Sequence, residues 1–267
     1  MKMKTLIAEK EKYIWKIKLN RPDVRNAFNP LMIEELTNIF RQVNEAKEVR
    51  LVTLEGEGKV FCAGADLSWM KSMINFNLDE NKEDAGQLFD MFFAIRNCAV
   101  PVLGIVHGAA FGGALGLVAC CDLVVAEEKA QFCFSEVKLG IVPAVISGFV
   151  LDKCQKNKVM PHMLWGNVFT AAQACEAGLI HEVATTKKQA DKFAEEKIQE
   201  ILEAGPDAIR ATKKLLHRIE GVNWDEKRNL STQVISERRV SSEGQEGLLS
   251  FLEKRAPEWR ITEDGSN

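Results

Sequence analysis

Three glycine-containing segments constrain this chain more than any other feature. They span residues 61–67, 107–116 and 134–140, and each lies between an apolar run and a helix-like run. Where a strand passes into a helix in this way, the first N–H groups of the helix have no backbone partner and favour an anionic ligand. Two such segments predict two N–H donors directed at one oxygen atom, with Glu136 as a nearby carboxylate.

The glycines also have a purely structural explanation. A single glycine cluster would favour close packing of a helix against a strand, because the missing Cβ permits close approach. The repeated strand-to-helix context of residues 61–67 and 107–116 favours ligand binding instead. The second segment has neither the G-x-G-x-x-G spacing of dinucleotide sites nor the Gly-Lys-Ser/Thr of a P-loop, so it predicts a different ligand.

Strand and helix patterns alternate through most of the chain. Apolar runs predict strands at residues 5–9, 13–19, 51–54, 101–106 and 123–126. Helical spacing predicts helices at residues 30–46 and 84–97, and a third from about Gly113 to Cys121. Such alternation indicates parallel strands joined by right-handed crossovers. Later residues predict only helices, at 188–203, 207–219, 224–240 and 243–254. We therefore expect an α/β core over residues 1–185 and a helical region over residues 186–267.

Composition excludes several classes of function. The net charge of −3, with 27% charged and 46% hydrophobic residues, is that of an ordinary globular protein and predicts no nucleic-acid surface. The seven cysteines include no Cys-x-x-Cys pair, so we expect buried, reduced thiols and a cytoplasmic location. Four dispersed histidines have no ligand spacing, and no metal site is predicted.

Residues 97–121 allow a membrane helix as a minor alternative. They carry no Asp, Glu, Lys or Arg, and Gly112 and Gly116 have the G-x-x-x-G spacing of paired membrane helices. Pro101 and five glycines interrupt the run, which favours a strand, a loop and a short helix. We therefore expect no contact with a membrane.

Several ordered motifs resemble the enoyl-CoA hydratase/isomerase (crotonase) superfamily. The matching segments, in the order that the family has them, are residues 19–22, 25–27, 61–67, 107–113, 121–122, 135–143, 171–183 and 251–255. The resemblance implies a spiral of ββα units and a helical C-terminal trimerisation region, in a homotrimer or a dimer of trimers. It also implies an acyl-CoA thioester substrate that brings its own coenzyme A, with no separate cofactor.

The same resemblance implies roles for individual residues. The amides of Ala65 and Gly113 would form an oxyanion hole for the thioester oxygen, and Glu136 would move protons. Glu136 lies between apolar residues, which predicts partial desolvation and a raised pKa. The remaining residues implied to bind substrate, with the last two completing a nucleotide pocket, are Arg25, Ala27, Ala63, Asp66, Leu67, Phe111, Gly112, Ser135, Gly140, Phe251 and Lys254.

One position departs from the family pattern. Hydratases of this superfamily usually carry a first glutamate a few residues after the Gly-Gly pair, where this chain has Gly116. Residues 65–73 and 132–147 resemble bacterial methylglutaconyl-CoA hydratase-like proteins, which implies a branched acyl group with a distal carboxylate, as in leucine degradation. Lys71, Lys138 and His107 are candidate partners for that carboxylate.

We therefore expect a lyase that adds water to a branched enoyl-CoA. Two alternatives stay open: a Δ3/Δ2-enoyl-CoA isomerase that uses one glutamate, and a non-catalytic CoA-binding homologue. An isomerase needs only one base, so the absence of a carboxylate at Gly116 does not count against it. The non-catalytic homologue would bind coenzyme A without turnover.

Overall fold

A computed structural model describes residues 3–260, which form two compact units. The first contains the residues up to Cys98 together with Val102–Ala194, and the second contains Ala99–Pro101 and the residues from Glu195 onward. The strands, all in the first unit, are β1 (Leu6–Glu11), β2 (Ile14–Leu19), β3 (Leu51–Gly56), β4 (Val102–Val106), β5 (Ala109–Phe111), β6 (Leu123–Glu127), β7 (Gln131–Cys133), β8 (Val168–Thr170) and β9 (Glu182–Ala184).

The larger sheet has the strand order β1-β2-β3-β4-β6-β9. Strands β1 and β2 form an antiparallel hairpin, and every later pair in this sheet is parallel, as the alternation of strands and helices predicts. Gly104, in the central strand β4, pairs with Leu54 and Val124. A Cβ on Gly104 would lie 3.0 Å from Cys121 Sγ, so glycine lets the following helix pack close to the sheet.

A second, three-stranded sheet positions the glycine-rich segments. Strands β5 and β7 are parallel, with Phe111 opposite Cys133, and β8 joins β7 in antiparallel orientation. Because parallel strands end at the same edge of a sheet, the residues after Phe111 and those after Cys133 emerge side by side. This edge is where Gly112 and Glu136 meet.

The described residues of the first unit contain seven α-helices that precede α8. They are α1 (Pro30–Glu45), α2 (Leu67–Met73), α3 (Leu78–Arg96), α4 (Ala114–Cys120), α5 (Ala144–Lys153), α6 (Lys156–Trp165) and α7 (Ala171–Glu176). The prediction that α3 begins at residue 84 is wrong by six residues. Asn77 and Glu80 form a capping box that starts the helix at Leu78, although its first turns have no apolar periodicity.

Most of residues 187–253 are helical, as predicted. Helix α8 (Lys187–Glu203) spans the division between the two units, and α9 (Pro206–Ile219), α10 (Trp224–Val240) and α11 (Ser242–Glu253) follow it in the second unit. Within the second unit, Glu243 accepts hydrogen bonds from the amides of Asp207 and Ala208, and so caps α9. The predicted α/β class with a helical C-terminal region is confirmed.

Residues 97–121 do not form one helix. They include β4, β5 and α4, and no helix within residues 3–260 has the length and apolar character needed to cross a membrane. The seven cysteines are free thiols, as expected: Cys175 is half-buried, and the buried ones are Cys62, Cys98, Cys120, Cys121, Cys133 and Cys154.

Candidate active site

The amide of Ala65 is held by the residues on either side of it. The Phe28 amide donates to Gly64 O at 2.7 Å, and the Asp66 amide donates to Phe28 O at 2.7 Å. Successive residues of extended backbone point their N–H groups to opposite sides. Gly64 O and the Asp66 N–H both point toward Phe28, so the Ala65 N–H points away from Phe28. Within residues 3–260 this amide has no hydrogen-bond acceptor.

The amide of Gly113 is at the turn between β5 and α4. The Gly112 amide donates to Cys133 O at 2.8 Å, and its φ of +55° turns the chain into the helix. Helix α4 then starts with donation from Leu115 to Gly112 O and from Gly116 to Gly113 O. The Gly113 amide is thus one of the N-terminal donors without an intrahelical acceptor, and it has none elsewhere in the described chain.

Direct backbone contacts bring these two segments together. The Cys62 amide donates to Ala109 O at 3.0 Å, and the Phe111 amide donates to Cys62 O at 3.1 Å. Gly64 has φ +94°, and a Cβ there would lie 2.8 Å from Phe111 O, so no other residue fits without a shift of the backbone. The segments that carry the Ala65 and Gly113 amides are therefore packed against each other.

Phe28 lies between the two donors. Its backbone is hydrogen-bonded to the residues before and after Ala65, Gly64 and Asp66. The edge of its ring lies 3.2 Å from the position that a Cβ would take on Gly113. Two amides without acceptors, from two distant segments, thus lie near one aromatic side chain, and their use as a pair of donors to one oxygen stays a prediction.

Glu136 lies beside this pair of loops. It begins a 3-10 helix, Glu136–Leu139, directly after the end of β7. A Cβ on Gly112 would lie 3.6 Å from Glu136 Oε1 and 3.4 Å from Ser135 Oγ, so the absence of that atom opens the space in front of the carboxylate. Glu136 Oε2 is buried and accepts no hydrogen bond from the described residues. Desolvation raises the pKa of Glu136, against a smaller lowering by its own amide.

Gly116 is packed by apolar side chains. A Cβ there would lie 2.6 Å from Ile146 Cγ2 and 2.7 Å from Phe92 Cε1 and Cζ, closer than real Cβ contacts. Phe92 also packs edge-on against Phe28, with ring centroids 6.3 Å apart, and against Phe149 at 5.8 Å. This position therefore has no room for a second carboxylate.

Comparison with known proteins shows the family of this chain. The family model described as enoyl-CoA hydratase/isomerase matches residues 9–262. The chain belongs to the enoyl-CoA hydratase/isomerase family. The prediction of an enzyme of this family, with the crotonase fold, is confirmed by that match and by the structural likeness that follows.

Similar proteins span nearly the same length. A crystal structure of an enoyl-CoA hydratase from Shewanella pealeana is 35% identical with a TM-score of 0.92, covering 96% of each chain. A crystal structure of an enoyl-CoA hydratase/isomerase from Marinobacter aquaeolei is 31% identical with a TM-score of 0.91, covering 96% of this chain and 99% of that one. The enoyl-CoA hydratase AKT6-1 of Alternaria alternata is 31% identical over 90% of this chain and 78% of its own.

Most of the other residues that family resemblance assigns to substrate binding lie in the first unit, and Phe251 and Lys254 lie in the second. Arg25 is exposed with φ +56°, and its carbonyl accepts a hydrogen bond from the half-buried Ala63. Leu67 is 82% exposed just after the Ala65 amide. Ala27 directly precedes Phe28, whose backbone is hydrogen-bonded to Gly64 and Asp66. Those that lie at the turn before α4 and around the 3-10 helix are Phe111, Gly112, Ser135 and Gly140. All of these belong to the unit that contains Glu136.

Asp66 differs from the rest of that set because its carboxylate is occupied by protein groups. It is 7% exposed; Oδ1 accepts from the Ser68 amide at 2.8 Å, and Oδ2 pairs with Arg21 at 2.8 Å. Burial opposes ionisation, but the Arg21 guanidinium and the helix amides outweigh it and lower the pKa of Asp66. This carboxylate is a structural anchor at the start of α2.

Phe251 and Lys254 belong to the second unit. Phe251 lies in α11 and is 82% exposed, and Lys254 ends that helix with φ +58°. Their assignment to a nucleotide pocket stays a prediction. Of the side chains named as partners for a substrate carboxylate, Lys71 and Lys138 are exposed, whereas His107 is buried with Nε2 3.0 Å from Gly58 O.

Sequence reasoning assigned no site role to Phe92, Ile146 or Arg21. Phe92 lies within the helix predicted at residues 84–97, and Ile146 lies within the resembling segment 132–147. Arg21 lies within the matched segment 19–22. The contact of Phe92 and Ile146 with Gly116 is visible only in the structure. No spacing in the sequence links these three positions.

Proposed function

We propose that this protein adds water across the α,β-double bond of an enoyl-CoA thioester. The observation that supports it is the grouping of two amides without acceptors, from Ala65 and Gly113, beside the half-buried carboxylate of Glu136. Such donors stabilise an enolate oxygen, because they are already oriented before charge develops on it. Family membership supports the same reaction.

In this proposal Glu136 handles both protons. Its carboxylate removes a proton from water as the water oxygen attacks Cβ, and the electron pair of the double bond moves to the thioester oxygen. The Ala65 and Gly113 amides hold that enolate oxygen. The Glu136 carboxylic acid then gives its proton to Cα, which restores the carboxylate and leaves the 3-hydroxyacyl-CoA. Because desolvation raises the Glu136 pKa, kcat/KM should fall on the acid side at a pH above the ordinary glutamate range.

The proposed substrate is a branched acyl group with a distal carboxylate. Residues 65–73 and 132–147 support this through their resemblance to methylglutaconyl-CoA hydratase-like proteins. Lys138 lies on the same 3-10 helix as Glu136 and is exposed, so it is a candidate partner for the distal carboxylate. The proposed role is in leucine or related fatty acid degradation, with coenzyme A entering only as part of the substrate.

An isomerase that moves a double bond between C3 and C2 is the second candidate. The packing of Phe92 and Ile146 against Gly116 favours it, because that packing leaves Glu136 without a second carboxylate at this position. Glu136 would remove a proton from C2 and return it to C4, and the same two amides would hold the dienolate. A non-catalytic CoA-binding protein is the third.

The proposed assembly is a homotrimer or a dimer of trimers in the cytoplasm. Large apolar side chains on the second unit are exposed, which supports contact with further copies. They include Trp224, Val240, Phe251 and Leu252.

A substrate panel separates the three candidates. Crotonyl-CoA, 3-methylglutaconyl-CoA and a 3-enoyl-CoA are assayed for water addition, which removes the absorbance of the conjugated thioester, and for double-bond migration, which creates it. We expect hydration, fastest with 3-methylglutaconyl-CoA. Conversion of the 3-enoyl-CoA alone would establish the isomerase, and binding of coenzyme A without any turnover would establish the non-catalytic homologue.

Glu136→Gln is the control for either activity. Loss of a positioned acid–base group costs roughly 10²- to 10⁴-fold in rate, while the affinity for a saturated acyl-CoA should change little. Turnover by Glu136→Gln equal to that of the wild type would remove Glu136 from the mechanism.

A further inference from the structure

We propose that Arg21 and Asp66 form a positioning pair that fixes the direction of the Ala65 amide. Neither side chain is assigned a step in the chemistry. The inference rests on the proposed function, since it concerns one of the two donors that hold the thioester oxygen.

The Asp66 carboxylate binds the N-terminus of α2 through one oxygen and Arg21 through the other. Oδ1 accepts from the amides of Ser68 at 2.8 Å and Trp69 at 3.4 Å, which fixes the N-terminus of α2. Oδ2 lies 2.8 Å from an Arg21 Nη. The side chain of Asp66 is 9% exposed and that of Arg21 is 20% exposed, so the pair is largely protected from solvent.

Arg21 carries the connection to the segment that brackets Ala65. Its other Nη donates to Ala27 O at 2.6 Å, immediately before Phe28. Phe28 in turn accepts from the Asp66 amide and donates to Gly64 O. The contacts therefore form a closed ring from Arg21 through Ala27 and Phe28 to Asp66. Ala65 lies in an adjoining ring, which the hydrogen bonds of Phe28 to Gly64 and Asp66 close.

The Ala65 N–H lies in the same peptide plane as Gly64 O, which accepts from the Phe28 amide, so a shift of Phe28 relative to Asp66 changes the direction of the Ala65 amide. The Gly113 amide and Glu136 are held by β5, β7 and α4 through hydrogen bonds that involve neither Arg21 nor Asp66, although the Phe28 ring also lies beside Gly113. Loss of the ion pair should thus disturb the Ala65 donor more than the Gly113 donor and leave the proton-moving group in place. A misplacement of about 1 Å costs on the order of 10²-fold in rate.

The test compares Asp66→Asn with Asp84→Asn. Asparagine at 66 keeps an oxygen for the start of α2 and is a good N-cap, but it removes the charge that faces Arg21. Asp84 accepts from Trp69 Nε1 at 2.9 Å, so it also holds α2. Among the described residues, no hydrogen bond or ion pair joins Asp84 to Arg21, Ala27, Phe28 or Asp66. Arg21→Lys and Arg21→Met test the pair from the other side if Asp66→Asn does not fold.

Two readouts are needed. The first is kcat and KM with the best substrate of the panel. The second is the infrared stretching frequency of a ¹³C-labelled thioester carbonyl in a bound saturated acyl-CoA, which falls as hydrogen bonds to the oxygen strengthen. The second does not require turnover, so it separates failure of this proposal from failure of the proposed function.

We expect Asp66→Asn to lower kcat about 10- to 100-fold with KM nearly unchanged, and to move the carbonyl frequency back toward its value in water. Arg21→Lys should retain more activity than Arg21→Met, and Asp84→Asn should stay close to the wild type. An unchanged kcat and carbonyl frequency in Asp66→Asn would overturn the proposal. A raised KM with unchanged kcat would do so too, because Asp66 would then be a substrate-binding group.

Discussion

The turn that leads into α4 and the first turn of α4 itself contain glycine for different physical reasons. At the start, Gly112 and Gly113 leave an amide without an acceptor and an open space in front of Glu136. One turn later, Gly116 is covered by Phe92 and Ile146, with no space for a Cβ. The same residue type thus serves ligand approach in the turn before α4 and close packing in the first turn of α4. A run of glycines in one helix is therefore not evidence that all of them face a ligand.

Replacing Gly113 should give the largest effect. Its φ of −53° suits proline, which would remove the N–H while keeping the backbone direction. Gly113→Pro should lower kcat about 10²- to 10³-fold, the usual cost of one oxyanion-hole donor. The steady-state rate on the best enoyl-CoA measures it.

Gly113→Ala is the matched control. It keeps the N–H but adds a Cβ 3.2 Å from the Phe28 ring, so it tests the steric part of the change alone. Equal losses in the two variants would mean that the turn before α4, like the first turn of α4, needs glycine only for packing, and the contrast between them would disappear.

Gly116→Ala should affect stability. The added Cβ overlaps Phe92 and Ile146, and overpacking of a core costs roughly 1–3 kcal/mol in the free energy of unfolding. Gly148→Ala in α5 is the control, because a Cβ there meets no atom within 4 Å; it should be neutral or stabilising by up to about 1 kcal/mol. Urea unfolding measures both, and equal stabilities would show that Gly116 is not tightly covered.

Glu136→Gln should give a smaller gain in stability that depends on pH. The folded state raises the pKa of Glu136, so above the ordinary glutamate pKa the unfolded chain loses this proton first and the folded state is penalised. Glutamine removes the penalty, so the Tm of Glu136→Gln should exceed that of the wild type near neutral pH.

The difference should shrink as the pH falls below the ordinary glutamate value of 4.5, where the side chain is protonated in both states. Thermal unfolding across pH measures it. A difference that does not change with pH would contradict the desolvation of the carboxylate.

Much of this arrangement follows from local patterns in the sequence. Apolar runs predicted β3, β4 and β6, and the segments around Ala65 and Gly113 predicted two donors. The sheet of β5, β7 and β8 was missed because three-residue strands are too short to show a period. That sheet is what brings Gly112 to Glu136.

The missed side chains involve contacts between distant parts of the chain. Phe92 comes from α3 and Ile146 from α5, and their contact with Gly116 depends on how three helices pack. The Arg21–Asp66 pair likewise joins two segments 45 residues apart in number. The spacing of apolar residues along the sequence does not predict contacts between such distant residues.

A crystal structure with a bound saturated acyl-CoA tests the central claim most directly. The account predicts that the thioester oxygen lies about 2.7–3.1 Å from both the Ala65 and Gly113 nitrogens, with the Glu136 carboxylate facing the Cα–Cβ bond. A thioester oxygen outside the reach of either amide, or a Glu136 carboxylate turned away from the acyl chain, would contradict it.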